Sequence, residues 1–180
     1  GLSEQYHDAD EQLPGDQPGP RGKPVVTTAY VDASHAANKV TRRSHTGFIV
    51  FINKAPIIWF SKRQQTVESS AFSSEFIAMK SCIEEVRGLQ SKLCIFGVPV
   101  YDEGPTHIFC DNQSVVNNCS KVESVLNKKH SSIAYHMARW AVVAEEVCVG
   151  WINGEYNLAD ALTKRLSKGV RQGLFWNWTY

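Results

Sequence analysis

A short apolar run, His107 to Cys110, ends on an acid, Asp111, and leads directly into polar residues that are typical of a helix start. β-Branched and aromatic residues with little charge indicate a strand that helices cover on both faces. In open sheets of alternating strands and helices, ligands bind just beyond the carboxyl ends of the strands. Asp111 is therefore expected either at a ligand site or, together with Asn112, at the cap of the next helix.

The composition is that of an ordinary globular domain, with 43% hydrophobic and 21% charged residues in 180. No run approaches about 18 apolar residues, so no membrane span is expected. The first residues also lack the basic and apolar regions of a signal peptide. Five cysteines are scattered without the spacing of a zinc site, which favours buried free thiols in a reducing compartment.

The first 24 residues differ in composition from the rest of the chain. They are rich in Pro, Gly, Asp and Gln and lack an apolar period, so we interpret residues 1–24 as a flexible linker before a domain over residues 25–180. Five acidic residues against two basic ones give this segment a net charge of −3, and 17 basic against 13 acidic residues give the remainder +4. A mildly basic body permits a polyanionic partner without indicating one.

Hydrophobic patterning predicts three strands, a long helix, a strand, helices, a strand and a final helix. In chain order these segments are residues 25–31, 46–52, 56–60, about 70–93, 107–110, from about 113, about 130–146, 147–152 and from 157. Asn157 is expected to be the N-cap of the final helix, with Asp160 in its first turn. Helix crossovers between parallel strands and an antiparallel hairpin at one edge make this a mixed α/β sheet.

Four acids stand where they could meet at one end of this sheet. They are Asp32 and Asp111 at strand ends, Glu75 beside the apolar stripe of the long helix, and Asp160 at the start of the last helix. Each has an ordinary alternative, namely a helix cap, a salt bridge at the edge of the core or a solvated position. Four carboxylates held close together repel one another unless cations lie between them, and hard oxygen ligands favour Mg²⁺ or Mn²⁺. Two such ions about 3.5–4 Å apart could activate a water and stabilise the leaving oxygen in phosphodiester hydrolysis.

Seven motifs occur in order between about residues 25 and 170. They are Tyr30-Val-Asp-Ala-Ser-His-Ala, Arg42-Arg-Ser-His-Thr-Gly-Phe, Ile57-Ile-Trp-Phe-Ser-Lys-Arg-Gln, Ser73-Ser-Glu-Phe-Ile-Ala, Cys110-Asp-Asn-Gln-Ser, Lys128-Lys-His and Asn157-Leu-Ala-Asp-Ala-Leu-Thr-Lys. Together they resemble the ribonuclease H domain of copia-type (Pseudoviridae) retrotransposon Pol polyproteins. The resemblance implies a ribonuclease H-like fold, with a five-stranded mixed sheet in the order 3-2-1-4-5 and the first three strands antiparallel.

The resemblance also implies an activity and a set of site residues. The RNA strand of an RNA–DNA hybrid would be cleaved to leave 3′-hydroxyl and 5′-phosphate ends. Asp32, Glu75, Asp111 and Asp160 would be catalytic and would ligate two Mg²⁺ ions, for which Mn²⁺ would substitute, with Asp111 shared between the ions. The partners would be the hybrid and an upstream reverse transcriptase domain, in the cytoplasm within a virus-like particle or in the nucleus.

Substrate contacts are implied on both sides of the acids. The candidates are Ser34, Arg42, Arg43, Asn112, Gln113, Lys129 and His130, together with Lys39 and Lys128. Gln113 matches a family position that reaches the minor groove, where 2′-hydroxyls distinguish RNA from DNA. The basic residues would contact phosphates and would not read bases, and an ordinary solvated cation is the alternative for each of them.

One position departs from the pattern of many ribonucleases H, which carry a histidine after the fifth strand in a run resembling Trp-Val-x-Gly-His. The corresponding run here is Trp151-Ile-Asn-Gly-Glu155. Glu155 therefore stands where that histidine is expected, and we do not expect a mobile side chain to shuttle protons at this place.

Two other functions remain open at this stage. Asp111 and Glu146 are 35 residues apart, a spacing that integrases and transposases of the same fold favour, but Glu146 precedes the fifth strand instead of following it. An integrase would also leave Glu75 and the run around Asp160 unexplained. The other alternative is a non-catalytic nucleic-acid-binding or tethering domain, against which all four acids are present.

Overall fold

The computed structural model describes residues 2–6, 21–38, 40–100, 104–122 and 132–176. Its elements are α1 (Leu2–Gln5), β1 (Thr27–Ser34), β2 (His45–Ile52), β3 (Ala55–Arg63), α2 (Ala71–Ile95), β4 (Thr106–Cys110), α3 (Gln113–Ser120), α4 (Ser132–Val143), β5 (Val147–Trp151), a 3₁₀ turn (Gly154–Tyr156), α5 (Asp160–Thr163) and α6 (Lys168–Phe175). Among these described residues, no helix combines the length and apolar character needed to cross a bilayer.

The five strands form one mixed sheet in the order β3-β2-β1-β4-β5. β2 pairs antiparallel with both β1 and β3, whereas β1, β4 and β5 run parallel to one another. The predicted strand order and directions are thus confirmed. Val31 of β1 lies opposite Cys110 of β4, so the next residues along, Asp32 and Asp111, lie side by side near the carboxyl ends of the two strands.

The main core lies between the sheet and the long helix α2. Apolar residues of α2 recur at helical spacing, as the sequence predicts, and Phe76, Met79, Ile83 and Val86 are each 0% exposed. They pack with α4 against inward-facing residues of β1 and β4. Burying a side chain of this size contributes roughly 1.5–3 kcal/mol to folding. The other face of the sheet carries a smaller apolar cluster to which β2, α5 and α6 contribute.

Two glutamines hold α2 in place along its axis. Gln64, just after β3, donates from Nε2 to the Thr46 hydroxyl (3.0 Å) and to the Ser74 carbonyl (2.9 Å) in the first turn of the helix. Gln90 donates from Nε2 to the hydroxyl at the start of β4 and to the carbonyl that precedes β5, both at 3.0 Å. Both glutamines are buried, so these bonds form away from water and fix the helix to the sheet at both ends.

The buried face of α4 agrees only in part with the predicted one. The spacing predicts one apolar face formed by Ile133, Met137, Trp140, Ala141 and Ala144. Ala141 is buried and Met137 and Trp140 pack against the core, but Ile133 is 76% exposed. The buried face is centred one position further along and includes Arg139, which is 1% exposed. The Arg139 guanidinium donates to two carbonyls at the end of α3 and to Oε1 of Gln5. Carbonyls at a helix end lack partners within the helix, so they can satisfy a buried cation.

The final helix begins later than predicted and is divided in two. Asn157 is not its N-cap, because Ala159 holds that position and the helix divides into α5 and α6. The side chain of Asn157 is instead fully buried, with Nδ2 donating to the Val31 carbonyl (3.0 Å) and Oδ1 accepting from the Ala159 amide (3.1 Å). Asn157 therefore ties the loop after β5 directly to β1, which brings α5 to the end of the sheet.

Part of the predicted linker is described. Residues 2–5 form α1, and the Tyr6 hydroxyl lies 2.7 Å from Nδ1 of His136 on α4. Residues 7–20 lie outside the described residues. The flexibility of residues 1–24 and the domain boundary after them therefore stay predictions.

Candidate active site

The four predicted acids come together at the carboxyl ends of β1 and β4. Asp32, Asp111 and Asp160 each offer one carboxylate oxygen, and these oxygens lie within 4.8 Å of one another. A second group at the same spacing joins Glu75 and the Cys110 sulfur to Asp111. Asp111 belongs to both groups and is therefore the centre of the cluster.

Each acid reaches the cluster from a different element. Asp32 lies within β1 opposite Gly47 and is 1% exposed, while Asp111 directly follows β4. Glu75 lies in α2 five residues after the helix N-cap, and Asp160 is the first residue of α5. The indole Nε1 of Trp151, at the end of β5, donates to the backbone carbonyl of Asp111 at 3.0 Å and holds the end of β4.

The approach of α5 to the sheet depends on Gly47. A Cβ built at this position would lie 2.6 Å from Thr163 Cγ2, 2.9 Å from Leu162 Cβ and 3.2 Å from the Ala159 carbonyl oxygen. The first two distances are shorter than real Cβ contacts, so any side chain here would force α5 away from β2. Glycine at this position therefore allows Asp160 to reach the other acids.

We expect Gly47→Ala to lower the hybrid cleavage that the sequence resemblance implies by about ten- to a hundredfold, because a displacement of about 1 Å is enough to disturb a catalytic constellation. The substitution should also destabilise the fold by about 1–3 kcal/mol, as overpacking does. Rates and urea unfolding would be measured together. Gly88→Ala is the matched control, since a Cβ there meets nothing within 4 Å. Wild-type turnover in Gly47→Ala would contradict this account of α5.

Burial makes the acid cluster reluctant to ionise in the absence of a cation. Burial raises the pKa of Glu75 to about 9, with further contributions from the charges of Asp32 and Asp111. Burial likewise raises the pKa of Asp32 to about 6, although the Thr163 hydroxyl, which donates to it, and Lys164 oppose the shift. Burial also raises the pKa of Asp111. The surroundings of the cluster therefore stabilise full ionisation poorly, and without a cation Glu75 keeps its proton at neutral pH.

A lysine lies among these acids. Lys164 Nζ is 2.7 Å from Asp160 Oδ1 and 3.6 Å from Asp32 Oδ1. Burial alone would lower the pKa of Lys164, but its bond to Asp160 and the charges of Asp32, Asp160 and Asp111 outweigh burial and raise it. The sequence patterns described above assign no role to Lys164 or to Thr163. The spacing of Asp160 and Lys164, four residues apart on a helix, is the signal that could have found this pair.

The donor set fits hard divalent cations. Glu75 Oε2 is buried and has no hydrogen-bond partner among the described residues, as expected of an oxygen that binds a cation. Gly154 leaves the space beside Asp111 free, because a Cβ there would lie 3.1 Å from Asp111 Oδ2. Burial raises the pKa of the Cys110 thiol, so carboxylates are the available ligands. Oxygen ligands of this kind suit Mg²⁺ or Mn²⁺.

The chain resembles known proteins along most of its length, although no protein-family model matches it. It is 31% identical over 152 residues to the retrovirus-related Pol polyprotein from transposon RE1 of Arabidopsis thaliana, a match that covers 84% of this chain and 10% of that protein. It is 30% identical over 148 residues to the Pol polyprotein from transposon RE2 of the same plant, covering 82% and 10%. The chain therefore belongs to the family of retrovirus-related Pol polyproteins. The chain spans about a tenth of the length of these curated relatives.

Solved structures share its fold. RNase H1 from Halobacterium salinarum superimposes with a TM-score of 0.55 at 15% identity, covering 78% of this chain and 95% of that one. LC11-RNase H1 in complex with an RNA/DNA hybrid gives 0.56 at 17% identity, covering 76% and 93%. The foamy viral protease-reverse transcriptase with a hybrid gives 0.53 at 14%, covering 85% and 21%. The fold is therefore ribonuclease H-like, and the resemblance to a copia-type Pol ribonuclease H domain is confirmed.

The predicted substrate residues of this ribonuclease H-like chain lie partly in the loop between β1 and β2, which begins at the acid end of the sheet. Ser34, at the end of β1, has a buried Oγ without a hydrogen-bond partner among the described residues. Arg42 is exposed and adopts a φ of 55°, and Arg43 is half-buried. Lys39, in the same loop, lies outside the described residues.

The remaining substrate candidates follow β4 and precede α4. Asn112 is the N-cap of α3, with Oδ1 accepting from the amides of the second and third residues after it, so the cap predicted for Asp111 or Asn112 belongs to Asn112. Gln113 is exposed at the start of α3, with Nε2 3.3 Å from Asn117 Oδ1. Lys128, Lys129 and His130 lie outside the described residues, so their substrate contacts stay predictions.

Glu146, the candidate partner of Asp111 in an integrase, lies apart from the acid cluster. Glu155, at the position of the expected histidine, lies at its edge. Glu146 is buried beside Arg87, with an Nε–Oε2 distance of 3.1 Å, and it precedes β5, whereas Asp111 follows the parallel strand β4. Five strand residues, which span roughly 17 Å, therefore separate Glu146 from Asp111 along the sheet. This distance excludes the integrase pairing of the two acids. Glu155 is exposed on the 3₁₀ turn, where its amide donates to Asn153 Oδ1.

Proposed function

We propose that this chain is the ribonuclease H domain of a retrotransposon reverse transcriptase and hydrolyses the RNA strand of RNA–DNA hybrids. The observation that carries the proposal is the convergence of Asp32, Asp111 and Asp160, with Glu75 beside them, at the carboxyl ends of parallel strands in a ribonuclease H-like sheet. Retrovirus-related Pol polyproteins among the relatives, and a hybrid bound in the structure of LC11-RNase H1, support the same activity and substrate.

The proposed mechanism uses two divalent cations held by the four acids, with Asp111 shared between them. When bound, such ions would activate the attacking water and stabilise the leaving oxygen. The side chains of the protein bind and orient the substrate. Arg42 and Arg43 are the described cations proposed to contact phosphates, and Gln113 is proposed to contact the 2′-hydroxyls that DNA lacks.

Reverse transcription supplies the substrate, because it leaves a hybrid of the RNA template and the new DNA strand. We therefore propose that a reverse transcriptase domain lies upstream in the full polyprotein and delivers the hybrid to this domain. The likeness to the foamy viral protease-reverse transcriptase, of which the matched part is 21% of the chain, supports this arrangement. The site would be used where the polyprotein assembles, in the cytoplasm or in the nucleus.

The test is cleavage by the isolated chain of a hybrid with labelled RNA and DNA strands. We expect the RNA strand to be cut to 3′-hydroxyl and 5′-phosphate ends with Mg²⁺ or Mn²⁺, and not with EDTA. Single-stranded RNA and duplex DNA should remain intact. Low salt should be used, since phosphate contacts are then strongest. Equal cleavage of duplex DNA would contradict the proposal, and metal-independent binding without cleavage would favour the tethering domain.

A further inference from the structure

Lys164 occupies the part of the acid cluster that a cation is expected to fill. Its ammonium contacts Asp160 at 2.7 Å and Asp32 at 3.6 Å, and its side chain is 43% exposed whereas that of Asp32 is 2% exposed. The charge of this lysine therefore reaches one buried carboxylate, Asp32, and one partly buried carboxylate, Asp160, from the open side of the site. A divalent ion bound by the same two carboxylates needs oxygens that face this ammonium.

The backbone around Lys164 is fixed, so its side chain starts from a defined position beside the acid cluster. The Lys164 amide donates to the Asp160 carbonyl, and the preceding residue, Thr163, donates its hydroxyl to Asp32. Ser61 on β3 donates to the Leu162 carbonyl at 2.6 Å and holds α5 against the sheet. The flexible part is the side chain beyond Cα, which can swing while α5 stays in place.

We propose that Lys164 is an internal counter-cation, which holds the acid cluster together in the metal-free protein and is displaced when a divalent ion binds. The inference rests on the proposed function, because that function assigns a divalent ion to these acids. One ammonium charge cannot balance four neighbouring carboxylates, so the cluster keeps its attraction for a divalent ion. Displacing the ammonium opposes binding of the ion, so Lys164 weakens metal affinity and raises the ion concentration needed to fill the site.

A second lysine provides a matched comparison. Lys80 on α2 contacts Glu84 with the same four-residue spacing and the same 2.7 Å distance, but both side chains face solvent. Pairs of this kind have little influence beyond themselves. Lys80→Gln therefore removes the same charge and an equivalent ion pair without changing the charge of the acid cluster.

Binding of Mg²⁺ and of Ca²⁺ alone, without nucleic acid, tests the proposal. We expect Lys164→Gln to bind either ion about three- to tenfold more tightly than wild type by calorimetry, as loss of one competing, half-exposed ion pair implies. Its metal-free thermal midpoint should fall, and the rise in midpoint on adding Mg²⁺ should be larger than in wild type. Lys80→Gln should match wild-type affinity within about twofold. Wild-type or weaker affinity in Lys164→Gln would overturn the inference.

A measurement on the wild-type protein keeps the inference testable if Lys164→Gln does not fold. Acylation of each lysine by an amine-reactive ester would be followed by peptide mass spectrometry with and without Mg²⁺. Release of the ammonium should accelerate acylation of Lys164 several-fold and leave Lys80 unchanged. An ion that binds without changing Lys164 reactivity would overturn only this inference. A wild-type protein that binds neither ion would overturn the proposed function, and this inference with it.

Discussion

Asp111→Asn is expected to reduce Mg²⁺-dependent cleavage of the hybrid by at least about 10³-fold, which corresponds to about 4 kcal/mol of the barrier. Asp111 is the acid that belongs to both groups of candidate ligand atoms, so its loss affects both proposed ion positions. The substitution preserves the shape of the side chain while it removes its charge. Hybrid affinity should stay within about threefold of wild type or improve slightly, because less negative charge then faces a polyanion.

Single-turnover rates at saturating Mg²⁺ measure the loss of cleavage, and fluorescence anisotropy without metal measures hybrid affinity. Glu84→Gln is the control, since it removes one acid from the exposed face of α2 and leaves the cluster intact. Its rate should equal that of wild type. Turnover of Asp111→Asn within about tenfold of wild type would show that Asp111 is not a central ligand.

Glu75→Gln is expected to have opposite effects on activity and on stability. Cleavage should fall by at least about a hundredfold through the loss of one proposed ligand. The metal-free protein should become more stable by roughly 1–3 kcal/mol at pH 9, because ionising a buried carboxyl without a partner is costly and glutamine carries no charge. Glu75 is 7% exposed, its Oε2 has no partner among the described residues, and burial raises its pKa to about 9.

The sign of this effect follows from the two states of Glu75. In the unfolded chain the carboxyl ionises near its ordinary pKa of 4.5, whereas burial raises its folded-state pKa to about 9. Below pH 4.5 both states are protonated and Glu75 does not oppose folding. Between pH 4.5 and 9 the unfolded state loses its proton first, so the penalty on folding grows with pH. The stability advantage of Glu75→Gln should therefore grow from pH 5 to pH 9.

Thermal midpoints of wild type, Glu75→Gln and Glu84→Gln in EDTA, measured from pH 5 to pH 9, test this prediction. Added Mg²⁺ should stabilise wild type more than Glu75→Gln and reduce or reverse their difference at high pH. Glu84→Gln should follow wild type throughout. A Glu75→Gln protein that is less stable than wild type at every pH would contradict the assignment of Glu75 as a destabilising ligand.

The sheet and three of the four acids could be predicted because their signals are local. Strand ends mark Asp32 and Asp111, and the apolar spacing of α2 places Glu75 at the edge of the core. The hydrophobic pattern could not place Asp160 in the site, because by that pattern alone Asp160 is a solvated acid. Its position depends on contacts between segments distant in sequence, above all the bond from Asn157 to the Val31 carbonyl.

Other features could not be predicted because they depend on fit between elements. The buried face of α4 includes Arg139 because its guanidinium donates to carbonyls at the end of α3. Hydrophobic spacing does not indicate such a buried cation. The need for glycine at position 47 likewise arises only where α5 meets β2. In the sequence alone, Lys164 is a charged residue in a short polar stretch. Only the fold brings Asp32 beside it.

The two buried glutamines that bind the two ends of α2 affect how the acid cluster is lost on heating. Gln64 fixes the first turn at Ser74, directly before Glu75, and Gln90 fixes the far end to the starts of β4 and β5. The helix can then neither slide nor fray at the end that carries the acid without breaking bonds that belong to the sheet. We therefore expect heating to disrupt the geometry of the acid cluster and the hydrophobic core in one transition of the whole domain.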